Sequence, residues 1–75
     1  MPEFVSIRYT NHTVARMSQR KIVKADVELV LRIGESRVDE DGLWICEEGH
    51  IRVVVREDDG IGIVITVVRL KGGEG

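Results

Sequence analysis

Three side chains spaced four residues apart near the start of the chain could act together on a phosphodiester. His12, Arg16 and Arg20 would share one face of a helix that ran through them. An imidazole exchanges a proton near neutral pH, and a guanidinium binds phosphate through paired hydrogen bonds. These residues predict metal-independent RNA cleavage, with His12 as acid or base and Arg16 beside the phosphate. Arg20 and Lys21 would bind the substrate further along.

The same side chains also admit a non-catalytic interpretation. A histidine in the first turn of a helix is commonly a capping or surface residue. The two arginines could pair with carboxylates in the middle of the chain, at Glu35, Asp39 or Glu40. Both interpretations stay open from the residues alone.

Charge is unevenly distributed along the sequence. The formal net charge is −2, yet residues 1–24 carry five basic and one acidic side chain, a net +4. Residues 25–50 carry two basic and eight acidic side chains, a net −6, and residues 51–75 carry four of each. Such a chain can present a local positive field to an anionic partner despite its overall sign.

A first helix would position the basic residues. Thr10 or Asn11 can cap its start through a side-chain oxygen, and the helix is expected to end near Gln19 or Arg20. Val14 and Met17 lie opposite the basic face and are expected to point into the core.

A second helix is predicted at about Lys24–Ile33. Its apolar stripe is formed by Val27, Val30 and Leu31, widened by Ala25, Leu29 and Ile33. Gly34 is expected to end the helix in a left-handed conformation. Val23, at the cap position, has no side-chain acceptor, which costs about 1 kcal/mol relative to serine.

Four strands follow in short order. They are predicted at Glu35–Asp39, Leu43–Glu47, His50–Glu57 and Ile61–Arg69, with turns at Asp41-Gly42, Glu48-Gly49 and Asp58-Asp59-Gly60. Connections this short join antiparallel neighbours. The prediction is an α+β domain with a four-stranded antiparallel meander, in the order ααββββ. The segment Phe4–Tyr9 is either extended or a lead-in to the first helix.

Strict alternation in the last strand leaves apolar residues on both of its faces. Two helices can cover one face of a four-stranded sheet, so a strip containing Val54, Val64 and Val68 has no evident cover within the chain. Such a patch is typical of a contact with a second copy or another protein. It supports a different hypothesis, a non-catalytic interaction or dimerisation module.

Length and composition bound the remaining possibilities. The 75 residues predict one domain over residues 1–70 and a loose glycine-rich tail over residues 71–75. A single cysteine, Cys46, cannot form an internal disulfide and is expected to be a buried thiol. The sequence shows no metal-ligand spacing and no apolar run of membrane length, so we expect no cofactor, no metal, no membrane contact and a cytoplasmic protein.

The helical region also carries a family pattern. It consists of Tyr9-Thr10-Asn11-His12, Arg16-Met17, Arg20 with Ile22, Asp26-Val27-Glu28, Leu31 and Gly34, followed by Ile65-Thr66-Val67-Val68-Arg69. Over residues 8–70 the chain resembles the bacterial family known as domain of unknown function 4258, which is similar to the barnase/RelE-like ribonuclease folds of toxin–antitoxin pairs.

The resemblance implies a RelE-like fold, an RNA substrate and an antitoxin partner. It also implies roles for Thr66 and Arg69 in the last strand beside His12. Lys21 stands where the pattern usually has glycine, which would strain a left-handed backbone there.

Overall fold

The computed structural model describes residues 3–70. Along the chain the elements are β1 (Ser6–Tyr9), α1 (Asn11–Arg20), α2 (Lys24–Ile33), β2 (Glu35–Val38), β3 (Trp44–Glu48), β4 (Ile51–Asp58) and β5 (Ile61–Arg69). The α+β class and the order of α1 to β5 are confirmed. The predicted tail over residues 71–75 lies outside the described residues. Neither helix within residues 3–70 is long and apolar enough to cross a membrane.

The five strands within residues 3–70 form one mixed sheet in the order β1-β5-β4-β3-β2. Strands β2 to β5 make the predicted antiparallel meander. The prediction of only four strands, all antiparallel, is wrong because Ser6–Tyr9 pairs in parallel with β5. Short hairpin loops do not constrain this pairing, since both helices and three strands separate β1 from β5. The extended start of the chain satisfies backbone groups that β5 would otherwise expose.

A β-bulge in β5 reverses part of its predicted alternation. Val54 pairs with Thr66 whereas Val55 pairs with Val64, so Ile65 is an extra residue on β5. Val64 consequently points into the core and is 0% exposed, so its assignment to a partner interface is wrong. Thr66 lies opposite Val54, which points away from the core between two buried neighbours.

Both helices pack on one face of the sheet, α1 on β5 and α2 on β3 and β4. The buried core between them consists of Met17, Ile22, Val27, Val30, Leu31, Cys46, Val53, Val55, Val64 and Val67. Within residues 3–70 no helix covers the other face, which we call the open face. Its apolar part consists of Ile45, Val54, Ile61, Ile63 and Val68, all half-buried, together with Thr66. By strand alternation its charged part consists of Arg8, Glu35, Arg37, Glu47, Arg52, Arg56 and Asp58.

Helix α1 buries a polar residue where an apolar one was expected. Met17 is buried as predicted, but Val14 is 49% exposed and Thr13 is fully buried in its place. The hydroxyl of Thr13 donates to the carbonyl oxygen of Val64 at 2.7 Å. This bond to β5 holds the helix in a rotation that leaves Val14 outside.

Helix α2 has the predicted bounds but a narrower apolar stripe. Val27, Val30 and Leu31 are buried, whereas Leu29 and Ile33 are 40% and 54% exposed. Ala25 is exposed as well. The outward positions of these three residues contradict the wider predicted stripe, because the sheet beneath α2 contacts only one side of the helix.

Gly34 ends α2 in an extended conformation, with φ −75° and ψ 165°. The predicted left-handed stop is therefore wrong, and the need for glycine has a different cause. A Cβ at this position would lie 2.5 Å from the carbonyl oxygens of both Val30 and Glu47. The chain passes from α2 directly into β2 only because residue 34 has no side chain.

Candidate functional site

A network of hydroxyl groups fixes the start of α1 beside the middle of β5. The backbone N–H of Thr13 donates to Thr10 Oγ1 at 3.0 Å, which confirms Thr10 as the cap. The Thr10 hydroxyl donates to Thr13 Oγ1 at 2.8 Å, and Thr13 in turn donates to Val64. Thr13 was not predicted from the sequence, because a capping box has Glu or Gln at this position and a threonine there gives no such signal. His12 lies between these two threonines, so the bonds that they make fix its backbone relative to β5.

The end of α1 is closed by a Schellman motif. The N–H of Ile22 donates to the carbonyl oxygen of Met17 at 2.9 Å, and that of Lys21 to Ser18 at 3.3 Å. Ile22 and Met17 are both buried and provide the apolar contact of the motif. Lys21 has φ 58°, so it does adopt the left-handed conformation that favours glycine.

Arg69, at the end of β5, binds the same helix end. Its guanidinium donates to the carbonyl oxygen of Arg20 at 2.9 Å through Nη2 and at 3.3 Å through Nε, and to that of Lys21 at 3.4 Å. A cation at a helix C-terminus complements the partial negative charge of the last carbonyls. Arg69 thus joins α1 to β5 through bonds that occupy two of its three nitrogens.

The basic residues of α1 line its solvent side. His12, Arg20 and Lys21 are exposed and Arg16 is half-buried; we call these four residues the α1 basic face. The ion pairs in the described part of the chain join Glu47 to Arg52 at 2.6 Å and to Arg37 at 3.9 Å. None of them involves the α1 basic face, so the alternative in which its arginines pair with Glu35, Asp39 or Glu40 does not occur.

The structure does not gather all four predicted catalytic residues. His12 lies in the first turn of α1 and Arg69 binds its last turn, about 12 Å further along at a rise of about 1.5 Å per residue. Thr66 is on the open face, on the opposite side of the sheet from α1. His12 and Arg16 remain neighbours, one helical turn apart.

The predicted partner residues divide between the two faces. Val54 and Val68 lie half-buried on the open face, whereas Val64 lies in the core.

Tyr9 lies at the end of β1 next to both helices. Lys24 Nζ is 5.2 Å from the centroid of its ring, within the range of a cation–π contact. Its hydroxyl oxygen is buried and has no hydrogen-bond partner within residues 3–70. Burial raises the pKa of the Tyr9 hydroxyl above its ordinary value, and the negative charge of Glu28 raises it further.

The described residues contain no group of three His, Cys, Asp or Glu side chains that could hold a metal ion. Cys46 is free and buried, as predicted. Burial raises the pKa of its thiol, against a smaller opposing effect of a hydrogen bond from Ser36. A buried thiol with a raised pKa is a poor nucleophile.

A solved protein has a similar fold. A chain of the toxin–antitoxin complex RelBE2 from Mycobacterium tuberculosis superposes with a TM-score of 0.65 and 21% sequence identity, over 92% of this chain and 93% of that chain. The fold is therefore RelE-like. No curated protein sequence matches the chain.

The family model of the domain of unknown function DUF4258 matches residues 9–69. The chain belongs to this family, as its Tyr-Thr-x-His and Arg-Met motifs indicated.

Proposed function

We propose that this domain is a toxin-type protein that acts on RNA through the α1 basic face in the cytoplasm. The observation that supports it best is the line of His12, Arg16 and Arg20 along α1, without a carboxylate partner in residues 3–70. Basic groups that no acidic side chain neutralises are available to phosphates. The RelE-like fold, shared with a chain of a solved toxin–antitoxin complex, supports a place in such a pair.

The chemistry proposed is metal-independent cleavage of a phosphodiester bond. His12 would take the proton of the 2′-hydroxyl or supply one to the leaving oxygen, and Arg16 would stabilise charge on the phosphate. Arg20 and Lys21 would hold the next part of the strand. Arg69 and Thr66 are not included in this centre, because one is bound to the helix end and the other faces away.

Cleavage assays on purified wild type and two histidine variants test the proposal. His12→Ala is expected to reduce cleavage by about 100-fold or more, whereas His50→Ala, which removes the other exposed histidine of the described region, should leave it unchanged. Free RNA and translating ribosomes are both used as substrates, at pH values from about 5 to about 9. Absence of wild-type cleavage on both substrates, or equal loss in both variants, would refute the enzyme proposal.

A second function, protein binding through the open face, is supported by a separate observation. Ile45, Val54 and Val68 remain partly exposed on a sheet face that no helix of residues 3–70 covers. An antitoxin protein is the partner that the RelE-like fold favours. Val68→Glu would place a charge in this patch and is expected to abolish copurification with such a partner while cleavage persists. Unchanged copurification would exclude this face.

A further inference from the structure

Strand β2 forms one edge of the sheet. The pattern of its hydrogen bonds to β3 determines which of its backbone groups remain unpaired. The N–H of Asp39 donates to the carbonyl oxygen of Leu43 at 2.9 Å. Hydrogen-bonded pairs recur every second residue in an antiparallel ladder, so Arg37 and Glu35 direct their N–H and C=O groups toward β3. The backbone groups of Ser36, the N–H of Val38 and the C=O of Gly34 consequently point out of the sheet edge.

These outward groups match those of a second β2 strand related by a two-fold axis at Ser36. In that register each Ser36 N–H meets the other Ser36 C=O, and each Val38 N–H meets the Gly34 C=O of the other copy. A register shifted by one residue would bring together groups that β3 already uses. The N–H of Gly34 already donates to the carbonyl oxygen of Val30 within its own chain, so it needs no acceptor in the second copy.

The same register also pairs opposite charges. Glu35 and Arg37 lie on the open face and are exposed, and an axis at Ser36 places Glu35 of each copy opposite Arg37 of the other. Opposite charges directly across a strand pair are favourable, whereas like charges are unfavourable. Arg37 is free to change partner, because its contact with Glu47 is long, at 3.9 Å, and Glu47 already binds Arg52 at 2.6 Å.

Apolar side chains accompany this edge on the helix face. Lys24 and Glu28 of α2 lie toward Tyr9 of β1, so Ile33, on the other side of the helix, lies toward β2. Ile33 and Val38 are 54% and 52% exposed. In the two-fold register Val38 lies opposite Gly34 of the other copy, beside Ile33, and both side chains become covered.

We propose that two copies of this chain associate through their β2 edges, in antiparallel register about Ser36, to form one continuous sheet. This contact lies at the edge of the sheet remote from β1 and α1. It leaves the α1 basic face and the centre of the open face accessible in both copies. The proposal is therefore independent of RNA cleavage and of partner binding.

Charge reversal tests the register, with mass measured by light scattering during size-exclusion chromatography. Wild type is expected to dimerise, Glu35→Arg and Arg37→Glu to be monomers when alone, and the double variant to dimerise again. A mixture of the two single variants should form a heterodimer, because every facing pair is then opposite in charge. Glu40→Arg, the same charge change at an exposed turn, serves as the control and should stay dimeric.

Ser36→Pro removes an outward N–H without breaking a backbone bond to β3 and is expected to give a folded monomer by circular dichroism. Wild-type protein that is monomeric at every soluble concentration would overturn the proposal. A dimer that persists in Glu35→Arg or Ser36→Pro would also overturn it, and loss of that dimer in Val68→Glu would assign the contact to the open face instead.

Discussion

Tyr9 carries the one buried side-chain oxygen or nitrogen of residues 3–70 that has no hydrogen-bond partner. Its ring is held by the core and by Lys24, so the ring stabilises the fold while the hydroxyl costs free energy of desolvation. An unpaired buried hydroxyl costs about 1–3 kcal/mol. The family motif includes Tyr9 but does not predict this cost, because the lack of a partner depends on how β1 lies against the helices.

Tyr9→Phe is expected to raise the free energy of unfolding by about 1 kcal/mol, measured by urea denaturation at pH 7. A loss of stability would show that the hydroxyl has a partner in solution, bound water included.

The pH dependence of the same pair of proteins follows from the raised pKa of Tyr9. The folded state holds the Tyr9 proton more tightly than the unfolded state. The favourable contribution of this tighter proton binding to the free energy of unfolding is complete below the ordinary pKa of about 10. It is lost as pH rises through the raised pKa of the folded state. Wild type should therefore lose stability relative to Tyr9→Phe above about pH 10. A constant difference between the two proteins across that range would contradict the assignment.

Among the secondary-structure elements, the helices and strands β2 to β5 could be predicted closely, whereas the pairing of the edge strand β1 could not. Caps and apolar spacing are local signals, which is why α1 and α2 have their expected bounds. The pairing of β1 with β5 joins residues far apart in sequence, and the bulge at Ile65 leaves no mark in a run of β-branched residues. For the same reason Val64 was assigned to the wrong face, whereas Thr66 and Arg69 both follow the bulge and lie on opposite faces, as regular alternation predicts.

Gly34→Ala tests the close passage from α2 to β2. A Cβ 2.5 Å from two backbone oxygens cannot be accommodated by rotating a side chain, so the expected loss is about 3 kcal/mol or more. Gly49→Ala is the matched control, because Gly49 has φ 61° and nothing within 4 Å of its added Cβ; only backbone strain of about 1 kcal/mol applies there. Equal losses in the two variants, measured by urea unfolding, would refute the steric explanation.

Across the whole molecule, three of the five basic residues at the start of the chain, Arg16, Arg20 and Lys21, lie along the solvent side of α1. Arg8 lies on the open face and Lys24 beside Tyr9. The acidic middle forms most of α2, then β2, β3 and the turn between them, and its ion pairs involve Arg37 and Arg52 rather than the arginines of α1. This separation of charge could be predicted from the sequence. The distance between His12 and Arg69 could not, because it depends on α1 lying lengthwise along β5.

The most direct test of RNA recognition is the salt dependence of binding to a fluorescently labelled single-stranded RNA, followed by anisotropy. Arg16→Glu and Arg20→Glu are compared with Arg32→Glu, the same charge change on the exposed side of α2. Each lost phosphate contact should weaken binding and reduce the slope of log K against log salt by about 0.7, while Arg32→Glu keeps the wild-type slope. Undetectable binding by wild type, or the same change in all three variants, would contradict a role for the α1 basic face in RNA recognition.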